Sequence, residues 1–188
     1  ADDAAAVSPD RESTTAGETS PAELAVRACQ IQPRVTVLAP AQRRLAVRND
    51  DERRHRITVT AAPGPGPGPA PATADDAGSQ ATPGDLWLPI VGAAAAITLP
   101  RAGAWRVASA ADPQHPSYVL ASEHRTIAIT DTRGRATFAQ LAPGRYPLVI
   151  WHPPVKAGGT PLVVRREIAI DGSETATAVD IELSTAAD

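Results

Sequence analysis

The chain has one cysteine, no methionine and only six aromatic side chains among 188 residues. A single Cys excludes an internal disulfide and every metal framework built on several cysteines. Without Met no side-chain thioether is available as a ligand. No apolar run approaches the roughly 20 residues that a membrane helix needs. The longest candidate, Leu86–Leu99, is interrupted by Pro89 and Gly92. Lys+Arg total 18 against 21 Asp+Glu, a net charge of -3, which lacks the basic excess of a nucleic-acid partner. Large apolar side chains are also scarce: Leu, Ile, Val and Phe number 36, and the 43% hydrophobic content is inflated by 38 alanines. A packed core can therefore form over part of the chain, but not over all of it.

The apolar residues that are present fall in short runs separated by Pro, Gly and Asp. Ile57 and Val59 alternate with Thr58 and Thr60, the period-2 signature of a half-buried strand. The runs predict strands at 24–31, 35–38, 44–48, 56–60, 86–91, 96–99, 104–109, 117–122, 126–130, 136–140, 145–151, 162–170 and 176–183. The separators include Asp131-Thr132-Arg133-Gly134, Ala142-Pro143-Gly144 and Asp171-Gly172-Ser173, residues that tolerate the backbone of tight turns. About a dozen short strands at this spacing indicate an all-β sandwich or a pair of them. No stretch sustains a helical period, and Ala93–Ala96 is too short to nucleate a helix.

Residues 1–22 are Ser, Thr, Ala, Asp and Glu with almost no large apolar side chain. They read as a mobile leader, or as a tether that docks on a partner. Ala1–Ala6 resembles the residues left after a secretory signal peptide is removed, so the expected location is exported, periplasmic or extracellular. Residues 61–84 are low complexity, with Pro alternating with Gly or Ala over 63–71, and read either as an interdomain linker or as a long extended loop inserted between strands.

Two segments resemble known families. Cys29–Val59 resembles the opening of cupredoxin-like (plastocyanin-like) domains, with Arg48, Asn49, Asp50 and His55 in the pattern "R-N-x-D" followed by a His. Gly103–Val107 is similar to the strand that leads into the copper loop, and Asp112–Tyr118 lies where such domains carry their Cys, His-Pro and Met. Ile127–Trp151 resembles the carboxypeptidase regulatory-like (transthyretin-like) module, matching at Thr130, Asp131, Gly134, Phe138, Leu141, Pro143, Gly144, Tyr146 and Leu148. The combination is similar to secreted bacterial proteins of the methylamine-utilisation-like type. It implies a leader (1–22), a cupredoxin-like β-sandwich (23–122) with 61–84 as an insertion loop, and a regulatory-like β module (123–188).

The resemblance implies His55 and His115 as the two imidazoles of a copper site. A blue-copper centre also needs a Cys thiolate, and Ser109, Ala110 and Ala111 occupy the expected stretch. A blue site is therefore not expected. A weaker Cu(II) or Zn(II) site would draw on His55, His115, His124 and His152 with Asp112 or Glu123. Cys29 reads as a small core residue. Asp112, His115 and Ser117 lie within one short segment, unlike a triad assembled from separated segments, so no catalytic residues and no enzyme are expected. Among the aromatics, Trp151 is the candidate for an exposed sugar-stacking surface, although a core role is preferred for it. The expected function is a non-catalytic exported binding or structural module. Its partner would be an envelope or surface protein, engaged through the leader or loops, or a glycan. The reading requires no cofactor, and it excludes nucleic acid and a membrane span. The alternative is a copper-binding or redox accessory protein using His55 and His115.

Overall fold

The computed structural model describes residues 22–40, 42–65, 84–124, 126–138, 141–156, 159–172, 179–181 and 183. Among the described residues there are eleven strands and no helix. The leader before Ala22, residues 66–83 of the insertion, residues 139–140 of the expected strand 136–140, and residues 176–178 and 182 of the last expected strand lie outside them.

The first nine strands are β1 (Ala22–Arg27), β2 (Gln30–Gln32), β3 (Val35–Leu38), β4 (Arg44–Asn49), β5 (His55–Ala62), β6 (Gly84–Leu88), β7 (Ala94–Thr98), β8 (Gly103–Ser109) and β9 (Asp112–Ala121). They form two sheets, ordered β2-β1-β4-β7 and β3-β9-β8-β5-β6. The β1–β4 and β3–β9 pairs are parallel and the other ladders antiparallel. Alternate side chains from both sheets fill the space between them: Leu24, Val26, Leu45, Val47 and Ile97 from the first, Leu38, Ile57, Val59, Leu88, Trp105, Val107 and Val119 from the second. This is the all-β sandwich that the period-2 runs predict.

Several expected boundaries shift. The run 24–31 is a hairpin rather than one strand: β1 and β2 pair antiparallel through Arg27↔Gln30. Their two-residue connection, Ala28-Cys29, has φ of 48° and 66°. Positive φ at both positions is the pattern of a type I′ turn, usually written with Asn or Gly. Ala-Cys carries no such signal, which is why the turn is invisible in the sequence. Asp112–Tyr118, where the resemblance places the copper-loop ligands, is the first part of β9. The β8–β9 connection is only Ala110-Ala111, and the ladder closes at Ser109↔Asp112 after an irregularity between Val107 and Ser109. Pro113 and Pro116 are tolerated because β3 joins β9 only from Tyr118 onward.

Beyond the sandwich, β10 (Gly144–His152) and β11 (Leu162–Ile170) form a two-stranded hairpin. Trp151 meets Tyr118 edge to face, with centroids 6.0 Å apart, and its indole N–H donates to the Pro63 carbonyl at 3.2 Å. Arg165 donates to the Pro65 carbonyl at 2.7 Å. No strand forms within 126–138. Hydrogen bonding there stays inside one turn: the Arg133 and Arg135 amides donate to the Asp131 carboxylate and the Asp131 amide to the Arg135 carbonyl. The Asp131–Gly134 turn chemistry therefore forms, with Gly134 at φ 74°, while its mostly exposed flanks bury too little to build a ladder.

Candidate metal site at one end of the sandwich

Strand alternation points polar side chains inward at one end of the core. On β4 the inward series Leu45, Val47 ends in Asn49; on β5 the series Val59, Ile57 ends in His55; on β8 the series Trp105, Val107 ends in Ser109. Asn49 is fully buried, and His55 and Ser109 are each 1% exposed.

Asn49 organises the crossing from β4 to β5. Its amide donates to the Arg53 carbonyl at 2.8 Å, to Ile90 at 3.2 Å and to Leu88 at 3.4 Å. Its side-chain oxygen accepts the Asp51 amide at 2.9 Å. Neutral Asn suits this place because it supplies donors and an acceptor on one short arm. The loop so held presents the Asp51 carboxylate to the β1–β2 turn, where it accepts the Cys29 amide at 2.7 Å. Next to it, Arg27 donates to Asp50 at 2.9 Å and the Asp50 amide to the Val26 carbonyl at 2.9 Å. The left-handed backbone at Ala28 and Cys29 is thus clamped from the β4–β5 loop. Such a backbone costs a non-glycine residue roughly 1–2 kcal/mol, so Cys29 is held at this point and not merely found there.

The outcome is a convergence of Cys29, Asp51 and His55. The thiol sulfur, a carboxylate oxygen and an imidazole nitrogen lie within 4.8 Å of one another. The His55 Nε2 is 3.4 Å from Asp51 Oδ2, too poorly aligned for a hydrogen bond, so the buried Nε2 has a charged neighbour but no hydrogen-bond partner. On the other side of the ring, Nδ1 lies 3.0 Å from Ser109 Oγ. The Asp51 carboxyl is held below its ordinary value by the Cys29 amide above all. Partial burial opposes this, and the Arg53 amide, the Cys29 thiol and the His55 ring reinforce it. Among the described residues this is the one place where three His, Cys, Asp or Glu groups converge.

The residues expected from sequence are distributed differently. His55 belongs to the convergence. His115 lies on β9 with its side chain 64% exposed, paired with Asp112 at 2.9 Å. The two imidazoles therefore have separate partners and opposite solvent environments. His124 is exposed beyond β9, and His152 donates from Nδ1 to the Pro153 carbonyl. Neither Cys29 nor Asp51 was read as a ligand from sequence. Cys29 is half-exposed in a turn rather than a core residue. Ser117, the third member of the improbable triad, donates to the Pro33 carbonyl at 2.7 Å. Trp151 is half-buried on Tyr118, whereas Trp87 is 56% exposed beside Ile90 and Val91, also exposed.

A blue-copper donor set does not fit these residues. Where the resemblance places the thiolate stretch, Ser109 is bonded to His55, and His115 stands apart from it in partners and exposure. The Cys29, Asp51 and His55 donors are a different set. Thiolate, imidazole and carboxylate are the ligand types that Zn(II) takes, and copper takes the first two.

No family model matches the chain, and no curated protein matches it. Solved structures do. A copper-containing nitrite reductase from Thermus scotoductus is 16% identical, with a TM-score of 0.40, over 62% of this chain and 26% of that one. A purple cupredoxin from Nitrosopumilus maritimus is 12% identical, with a TM-score of 0.36, over 54% of this chain and 99% of its own length. Auracyanin from Roseiflexus castenholzii is 12% identical, with a TM-score of 0.37, over 56% of this chain and 99% of its own. The chain thus spans about a quarter of the reductase, and the smaller proteins span little more than half of the chain.

Proposed function

We propose that the chain is a non-catalytic, metal-binding β-sandwich module of an exported protein, and that Cys29, Asp51 and His55 hold one borderline-soft ion, Zn(II) or copper. One observation carries the reading: a buried imidazole nitrogen without a hydrogen-bond partner faces a carboxylate and a thiol. Buried polar atoms are nearly always satisfied, and a cation satisfies all three donors at once. Bonds of about 2.0–2.3 Å to a tetrahedral ion place ligand atoms about 3.3–3.8 Å apart, so closure needs movement on the order of 1 Å. Three protein donors leave one position of a tetrahedral ion open to an external ligand.

The test is calorimetric titration of the purified chain with Zn(II) and with Cu(II). Binding of one equivalent that is lost in Cys29→Ser and His55→Gln and retained in His115→Ala supports the reading. Binding that depends on His115 but not on Cys29 returns the site to the His55–His115 arrangement. No binding removes the metal reading.

A second reading, a surface for an envelope protein or glycan, is favoured by the exposed Trp87, Ile90 and Val91. Trp87 stands on β6, an edge strand of its sheet, and a solvent-facing indole suits stacking or docking. Capture of a partner or glycan that fails with Trp87→Ala supports it.

A further inference from the structure

A neutral imidazole carries one proton, and the nitrogen that holds it cannot be the ligand. We propose that Ser109 is the positioning residue that makes His55 a metal ligand, by accepting the Nδ1 proton and leaving the Nε2 lone pair toward Asp51 and Cys29. This inference rests on the metal reading above and names the residue that conditions it.

Four features carry it. Ser109 Oγ is 3.0 Å from His55 Nδ1, and both residues are buried. The Ala111 amide, in the two-residue β8–β9 connection, donates to the same hydroxyl at 3.2 Å. The oxygen is therefore held in place, and its second lone pair is available to Nδ1–H. The ladder fixes the approach, because Ser109 is the register partner of Ile57, two residues beyond His55 on the same inward face of β5. At the far end of the ring, Nε2 makes no hydrogen bond although Asp51 Oδ2 is 3.4 Å away. A proton placed there has no well-aligned acceptor, whereas a lone pair there converges with the other two donors. The same hydroxyl can rotate and donate to Nδ1 when no ion is bound, so serine serves the ring in both states. Alanine serves neither, because an ion on Nε2 then leaves the Nδ1 proton buried without an acceptor. Groups that orient metal-bound histidines in this way typically contribute about 10–100-fold to affinity.

The test is Zn(II) titration of the full chain and its Ser109→Ala and Ser109→Thr variants, with nitrogen NMR of the His55 ring in the loaded wild-type protein. The expected result is a loss of about 10–100-fold in Ser109→Ala, recovery of most of it in Ser109→Thr, and a ring with its proton on Nδ1 and the metal on Nε2. Metal on Nδ1, or Ser109→Ala binding as tightly as wild type, overturns the role of Ser109 and leaves the metal site standing. Absence of binding by the wild-type chain overturns both. The ring assignment is made on the wild-type protein and decides the matter even if Ser109→Ala does not fold.

Discussion

Replacing Asn49 with alanine tests whether the β4–β5 crossing is held as described. The substitution removes donors to the Arg53, Ile90 and Leu88 carbonyls and the acceptor of the Asp51 amide. Each buried polar group left without a partner costs about 1–3 kcal/mol. The Leu88 contact is the longest, and Arg53 is an exposed residue whose carbonyl water can reach. The strongest loss is then the Asp51 bond; the Arg53 and Ile90 carbonyls belong to exposed residues, the buried Leu88 carbonyl makes only a long contact, and values near the low end of the range apply. The expected destabilisation is about 2–4 kcal/mol, a large share of the ~5–15 kcal/mol typical of a domain. Urea unfolding measures it as a lower midpoint at unchanged slope. Because the same loop presents Asp51, Zn(II) affinity should fall as well. A loss below about 1 kcal/mol would refute the argument, since it would mean that water or a rearranged loop satisfies these groups as well as Asn49 does.

Trp105 is 1% exposed at the centre of the sandwich, so Trp105→Ala should cost about 3–5 kcal/mol in the same urea assay. Ala28→Gly should stabilise the chain by about 0.5–1 kcal/mol, because relief of the left-handed backbone outweighs the added freedom of the unfolded chain; a loss of stability would contradict the turn. Trp151→Ala should cost about 0.5–1.5 kcal/mol from the aromatic pair and change the near-ultraviolet signal of Tyr118, which would stay unaltered if the β10–β11 hairpin did not dock there. Asp85, gripped by Arg56 and Thr58, is held below its ordinary value of 3.8, chiefly by the Arg56 hydrogen bonds. Its contribution to stability is therefore complete above that value and lost as the pH falls through the folded-state value below it. Asp85→Asn should lack this component of the acid transition in a pH series of unfolding free energies.

Much of the sandwich is legible in period-2 alternation, because one face of each strand must be buried. The same alternation, continued past the apolar residues, already aims Asn49, His55 and Ser109 inward, since each stands two residues beyond a core position on its strand. That alternation alone singles out one end of the core. Cys29 was not legible, because its position depends on an Ala-Cys turn whose left-handed backbone is imposed by the Asp51 clamp and not by local propensity. Asp51 was not legible either, as one of two adjacent carboxylates in a charged loop; only the tertiary fold separates Asp50, bonded to Arg27, from Asp51, bonded to Cys29. His115 stands on β9 although Pro113 and Pro116 lie on either side of it, because a strand with one unpaired side accepts prolines.

The most direct test of the metal site is Co(II) titration followed by absorption, on wild type and Cys29→Ser. The account expects one equivalent of Co(II) and a thiolate-to-metal charge-transfer band that is absent from Cys29→Ser. Binding without that band, or binding that Cys29→Ser retains in full, would contradict it.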